Sequence, residues 1–186
     1  MSEEMIIKHC SPTLAGIKTG SMFSYPYKSA DEMRAAVRRW NRVLTEKGLR
    51  VLPLRYNGRT ALIYIYRPAK LSRDLQNTAA AQILKKCGYG SCNPDCCVAR
   101  LVKRMSNYDE FPHEIGLFLG YPPEDVSGFI KNKAHGCKCV GYWKVYGDEE
   151  SARRTFGKYN KCTRVYREQY ARGKSLERLT VKSPVQ

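Results

Sequence analysis

The dipeptide Asn57-Gly58 limits the folds open to this chain more than any other feature. It sits between two strand-forming arms, residues 49–56 and 59–67. Asn-Gly favours the positive φ angles of a tight two-residue turn, so the pair predicts an antiparallel hairpin. The second arm carries Ala61-Leu62-Ile63-Tyr64-Ile65-Tyr66, a run dense in β-branched and aromatic strand formers. Pro68 closes it, because proline has no N–H to give a ladder. Residues 22–27, with Phe23, Tyr25 and Tyr27, and residues 140–146 predict two more strands.

Helical signals surround these strands. Ser29 and Glu32 form a capping box, in which the two side chains satisfy each other's first-turn N–H groups. Met33, Ala36, Val37, Trp40, Val43 and Leu44 then recur on one face at helical spacing. Gly48 supplies the stop. Residues 12–18 predict a turn of helix. A helix is expected over 72–86, ending at Gly88, and another from Asn93-Pro94 to Ser106. Two short helices over 111–119 and 123–132 meet at Gly120-Tyr121-Pro122. Asp148 caps a long final helix to Arg172, its inner face Ala152, Phe156, Tyr159, Thr163, Tyr166 and Tyr170. The sum is an α+β protein: one domain over 1–182, a small, mainly antiparallel sheet with helices packed on it. Residues 87–106 are where a cysteine-rich insert would sit, and 183–186 read as a loose tail.

Three strings carry a resemblance. They are His9-Cys10-Ser11-Pro12-Thr13-Leu14-Ala15-Gly16, then Phe111-Pro112-His113-Glu114-Ile115-Gly116-Leu117-Phe118-Leu119-Gly120-Tyr121-Pro122, then Gly141-Tyr142-Trp143-Lys144-Val145-Tyr146-Gly147. On them the chain resembles a family of unknown function, domain-of-unknown-function family three-seven-nine-three, found in anaerobic Firmicutes. The likeness spans nearly the whole chain and implies a single domain in an anaerobic bacterial cytosol. It brings no activity, cofactor or catalytic residue. Cys10 and Cys162 fit its pattern; Cys92, Cys96 and Cys97 do not.

No apolar run approaches the roughly 20 residues of a membrane helix. Residues 1–8 hold two acids and no long apolar stretch, unlike a secretory signal. The expected compartment is the cytoplasm, where a disulfide framework does not persist. The eight cysteines are then buried small hydrophobes, metal ligands or reactive thiols. A formal net charge of +16 attracts an anionic ligand, an acidic protein, nucleic acid or an anionic membrane surface without choosing among them.

Chemistry has five candidate locations. Cys87, Cys92, Cys96 and Cys97 lie close in sequence. A soft metal needs several thiolates within about 2.3 Å of one point, but adjacent cysteines point apart and two clean C-x-x-C pairs are lacking. His135-Gly136-Cys137-Lys138-Cys139 enters a strand, which would put Cys137 and Cys139 on one face. With His135, and Cys162 or Cys10 completing the set, they would hold zinc, an iron–sulfur centre or copper(I). Cys10 and His113 are candidates for a nucleophile and its base. Lys158, Lys161 and Arg164, among tyrosines on the last helix, and Arg34, Arg38 and Arg42 would meet nucleic-acid phosphates. Lys18, Lys144 and Thr13 would face a small anion, although the chain has no Walker loop and no G-x-G-x-x-G. Each has a plainer reading: tyrosines at helical spacing are core, arginines opposite an apolar face are solvated, and Trp143 and Tyr146 pack a strand. The leading expectation is a cysteine-dependent accessory protein that binds a metal, cluster or redox cofactor. RNA or polyanion binding and a cysteine-nucleophile enzyme built on Cys10 and His113 are the rivals.

Overall fold

A computed structural model of the chain describes residues 1–90, 93–107 and 111–183. The order is α1 (Glu3–Leu14), β1 (Gly20–Pro26), α2 (Ala30–Leu44), a 3-10 turn (Thr45–Lys47), β2 (Arg50–Asn57), β3 (Thr60–Tyr66), α3 (Pro68–Gln76), α4 (Thr78–Lys86), α5 (Pro94–Asn107), α6 (Ile115–Phe118), α7 (Pro123–Lys131), β4 (Cys139–Val140), β5 (Lys144–Val145), α8 (Glu149–Ala171) and α9 (Leu176–Leu179). Among the described residues no helix is long and apolar enough to cross a membrane.

The fold is α+β. β3 lies between β1 and β2 in a fully antiparallel three-stranded sheet. Its sequence explains the central place, because both of its faces are apolar. Ala61, Ile63 and Ile65 point into a core made with α1, α2, β1 and α9, through Ile6, Leu14, Trp40 and Leu176. Tyr64 and Tyr66 point the other way, into a second core with Leu71, Leu84, Leu101 and Phe118 from α3 to α6. A strand buried on both faces cannot alternate polar and apolar residues. Proline is confined to an edge: β2 carries Pro53, and its register shifts between Pro53 and Arg55.

The hairpin exists, but its turn is one residue later than expected. Asn57 pairs with Thr60, so the two-residue loop is Gly58-Arg59. Gly58 takes φ +56, so glycine stands first in the loop, the arrangement of a II′ turn. Four other elements depart from expectation. Residues 3–14 form a full helix, capped by Ser2; Pro12 is tolerated in its last turn. The expected helix over 72–86 is two helices, broken at Asn77, whose side chain accepts the N–H groups of Ala79 and Ala80. Residues 111–119 hold only the single turn α6. The expected strand over 140–146 is a short hairpin, β4 paired with β5, which places Tyr142 and Trp143 at its tip. Ser183, expected in a loose tail, is held: its N–H donates to Lys47 O and its Oγ accepts from Arg67. Residues 184–186 lie outside the described residues.

Candidate ligand cavity

The site is assembled by one buried carboxylate. Pro122 and Pro123 start α7, which places Asp125 in its first turn. In the sequence this reads as an acid suited to a helix N-terminus. In the fold it is buried and gathers three donors: Trp143 Nε1 at 2.6 Å, Tyr146 N at 2.7 Å and Gly147 N at 2.7 Å. The β4–β5 hairpin is thereby fastened to α7. Trp143 is wedged between Tyr121, ring centroids 4.8 Å apart, and Phe156, 4.6 Å apart. Gly141 makes that approach sterically feasible, because a Cβ there would stand 2.2 Å from the Phe156 ring.

Between the hairpin, α7 and the 111–121 segment lies a cavity of about 310 Å³. Phe111, Tyr121, Phe129 and Trp143 give it aromatic walls, with Met22, Leu119 and Val126 behind them. Its polar lining is His113, Asp125 and Lys144. Asp125 is engaged by the hairpin. His113 stands edge-on to Phe129 at 5.0 Å. Lys144 is half-buried, donates to Ala134 O at 2.9 Å, and lies 6.0 Å from the centre of the Phe129 ring. Val140, 67% exposed, stands at the mouth. A pocket of this volume with a few convergent polar groups is the size of a small-molecule site. Two of the three strings behind the resemblance line it. The first string lies just beyond Met22, where His9 and Pro12 line a smaller pocket that shares Met22 with the cavity.

The cysteine candidates do not assemble. Among the described residues no three of His, Cys, Asp and Glu come together as a metal site. Cys139 packs beside Trp143 and Val145, and Cys162 is half-buried on α8, where burial pushes its thiol up to about 11. The long strand that would have set Cys137 and Cys139 on one face is absent: β4 begins only at Cys139, and His135 and Gly136 lie in the preceding loop. Cys92, from the other cysteine group, lies outside the described residues; Cys96 is exposed and Cys97 buried.

Cys10 is corrected by its surroundings. It was expected ahead of a helix turn, where a helix N-terminus would favour thiolate. It lies instead inside α1, fully buried, and desolvation pushes its thiol up to about 12. His113 is exposed at the cavity wall. With the native protein at neutral pH, a maleimide or iodoacetamide label followed by peptide mass mapping will mark Cys96 and leave Cys10 unmodified until the chain is unfolded. Native-state labelling of Cys10 at the rate of a free thiol would contradict this.

The basic candidates are where a solvated face puts them. Arg34, Arg38 and Arg42 are exposed on α2, and Lys158, Lys161 and Arg164 on α8; Arg34 pairs with Asp31, and Arg164 stands 4.0 Å from Glu168. What sequence reasoning missed is the cavity itself. Trp143 reads as strand packing in the sequence, Asp125 as an acid at a helix start, and Phe129 carries no signal. The usable clue was that two motif-like strings each combine glycine, an aromatic ring and a cationic or imidazole side chain.

Comparison with known proteins gives one match. A family model described as "Protein of unknown function (DUF3793)" matches residues 6–180. No curated protein and no solved structure matches the chain.

Proposed function

The chain belongs to the DUF3793 family of proteins of unknown function, and from that premise we propose that it binds one small molecule with a flat apolar body and an anionic end in the cavity between α7 and the β4–β5 hairpin. The observation that carries this reading is the composition of the cavity wall. Four aromatic residues surround a preformed space, the one carboxylate lining it among the described residues is engaged by three N–H groups, and the cation left at the wall is Lys144. Ring faces favour a flat apolar body, and an ammonium within a largely apolar wall favours an anion. The net charge of +16 raises the local concentration of such ligands. Cysteine-held metal is not the reading the geometry favours, because the four expected ligands do not converge.

Calorimetric titration with 2-naphthoate and with its neutral counterpart 2-naphthylmethanol tests the proposal. Both are expected to bind at one site per chain, the carboxylate more tightly. Val140→Glu places a negative charge at the mouth on an exposed side chain, and should weaken the carboxylate about tenfold while leaving the alcohol nearly unchanged. Lys144→Met should erase the difference between the two. Absence of binding by both compounds, or binding that ignores both substitutions, would refute the assignment.

A further inference from the structure

Across Met22 from the cavity lies a second, smaller pocket of about 140 Å³. Its polar lining is Lys8, His9, Lys18, Ser21, Tyr142 and Thr163, with no carboxylate among the described residues. Lys18 is the unusual member. It lies in the connection from α1 to β1, only 5% exposed. Its ammonium donates to Gly20 O and stands 5.2 Å from the centre of the Tyr121 ring. Among the described residues it has no ion-pair partner.

A buried charge without a counter-charge is costly, and proteins either pair it or neutralise it. Here desolvation lowers Lys18 to about 7, so near neutral pH it is close to half-protonated. An ammonium carries three donors; one goes to Gly20 O, which leaves capacity at the wall of an open pocket. Hydroxyls complete the lining: Ser21 is bonded to Thr13 at 2.9 Å, and Tyr142 donates to Asn160 at 3.0 Å. Hydroxyls and cations without carboxylates make a site selective for a small oxyanion.

We propose that Lys8, His9 and Lys18, with the Ser21 hydroxyl beside them, form a binding site for a tetrahedral oxyanion, phosphate or the phosphate group of a larger molecule. This site is separate from the aromatic cavity and stands whether or not naphthoate binds there. The anion supplies the counter-charge that Lys18 lacks in the folded protein.

The groups facing Lys18 decide the pH dependence. Lys8, His9 and Cys10 come from α1, Tyr121 from the segment after α6, and Tyr142 from the hairpin tip. Burial pushes Cys10 and Tyr121 up to about 12 and raises Tyr142, while burial and Lys8 hold His9 below its usual value. Lys18 is therefore the group that discharges just above neutrality. Sulfate keeps its charge throughout, so its affinity should fall as pH rises from about 6.5 to about 9.

Calorimetry at low ionic strength, with inorganic phosphate, sulfate and glycerol 3-phosphate as probes, none of which has a flat apolar body for the aromatic cavity, tests this. One site per chain is expected, weakened roughly tenfold by Lys18→Met and severalfold by Lys8→Gln. Lys8 is exposed, so that variant keeps the fold even if Lys18→Met does not. Arg38→Gln, on the exposed face of α2, should leave the affinity unchanged. Equal affinity for phosphate and the glycerol ester identifies a free anion; tighter binding of the ester identifies a headgroup. The proposal is overturned if none of the three binds, or if binding is multi-site and indifferent to both lysine substitutions.

Discussion

Asp125→Ala is expected to lower the free energy of unfolding by about 3–5 kcal/mol, the sum of a few bonds to a buried charged acceptor. It should also red-shift the fluorescence of Trp143. Three N–H groups converge on this carboxylate, two on Oδ1 and one on Oδ2. Alanine leaves them without an acceptor; Trp143 Nε1 is buried, and such a donor costs more than its bond was worth, while the N–H groups of Tyr146 and Gly147 are part-buried. The hairpin's own ladder is short, since β4 and β5 are two residues each; what remains is ring packing around Trp143 and side-chain bonds from Tyr142 and Lys144. Asp125→Asn separates charge from geometry. Its single oxygen can keep Tyr146 and Gly147, but its NH2 then meets the Trp143 Nε1–H, donor against donor. That variant should be milder in stability yet show the same fluorescence shift. Urea unfolding and emission spectra measure both. Stability within about 0.5 kcal/mol of the parent for Asp125→Ala, with unchanged emission, would show that the hairpin is held by something else.

Arg67→Met is expected to cost about 2–4 kcal/mol in the same assay. Arg67 follows β3 and is buried, and its guanidinium meets oxygens from three segments. Nε donates to Thr13 O and Nη2 to Leu14 O, each at 2.7 Å, at the C-terminus of α1. Nη2 also donates to Val181 O and Nη1 to Ser183 Oγ, both at 2.7 Å, and Nη1 reaches Lys47 O at 3.4 Å. No carboxylate takes part among the described residues. The planar fork ties the end of the first helix, the turn after α2 and the C-terminal strand of chain to the sheet. Lysine cannot reproduce it, because one ammonium cannot reach acceptors spread over that fork. Arg67→Lys should therefore lose most of the same stability. A lysine variant as stable as the parent would assign the stabilisation to charge alone.

These two residues show where the sequence stops being legible. The α+β class, the hairpin, α2 with its Ser29 cap and Gly48 stop, and the long α8 all follow from periodicity and capping. Those are local rules, and the structure obeys them. Local rules also misled. Pro12 suggested a helix start, whereas α1 had already run for nine residues and tolerates proline only in its last turn. Asn77 lay inside an apparent helical pattern and acts as a cap. Residues 140–146 look like a strand because their aromatics favour one, yet Gly141 and the Asp125 anchor fold them into a hairpin. The burial of Lys18, Arg67 and Asp125 is not legible in the sequence, because a charge becomes buried only through partners 18 to 116 positions away, or, for Lys18, through the packing around it. The cavity is invisible for the same reason. Its walls come from β1, the 111–121 segment, α7 and the hairpin, and pattern arguments do not say which of these meet. The cysteines drew attention by their number; their burial and dispersal could be seen only in the fold.

The central claim, that the aromatic cavity is a ligand site, is met most directly by following the two tryptophan indole N–H resonances during a titration with 2-naphthoate. Trp143 Nε1 bonds Asp125 at the cavity wall, while Trp40 Nε1 bonds Met1 O in the other core. The Trp143 signal is expected to move saturably, with a midpoint that weakens in Val140→Glu, while the Trp40 signal stays in place. A titration in which neither indole moves, or in which both move together without saturation, would contradict it.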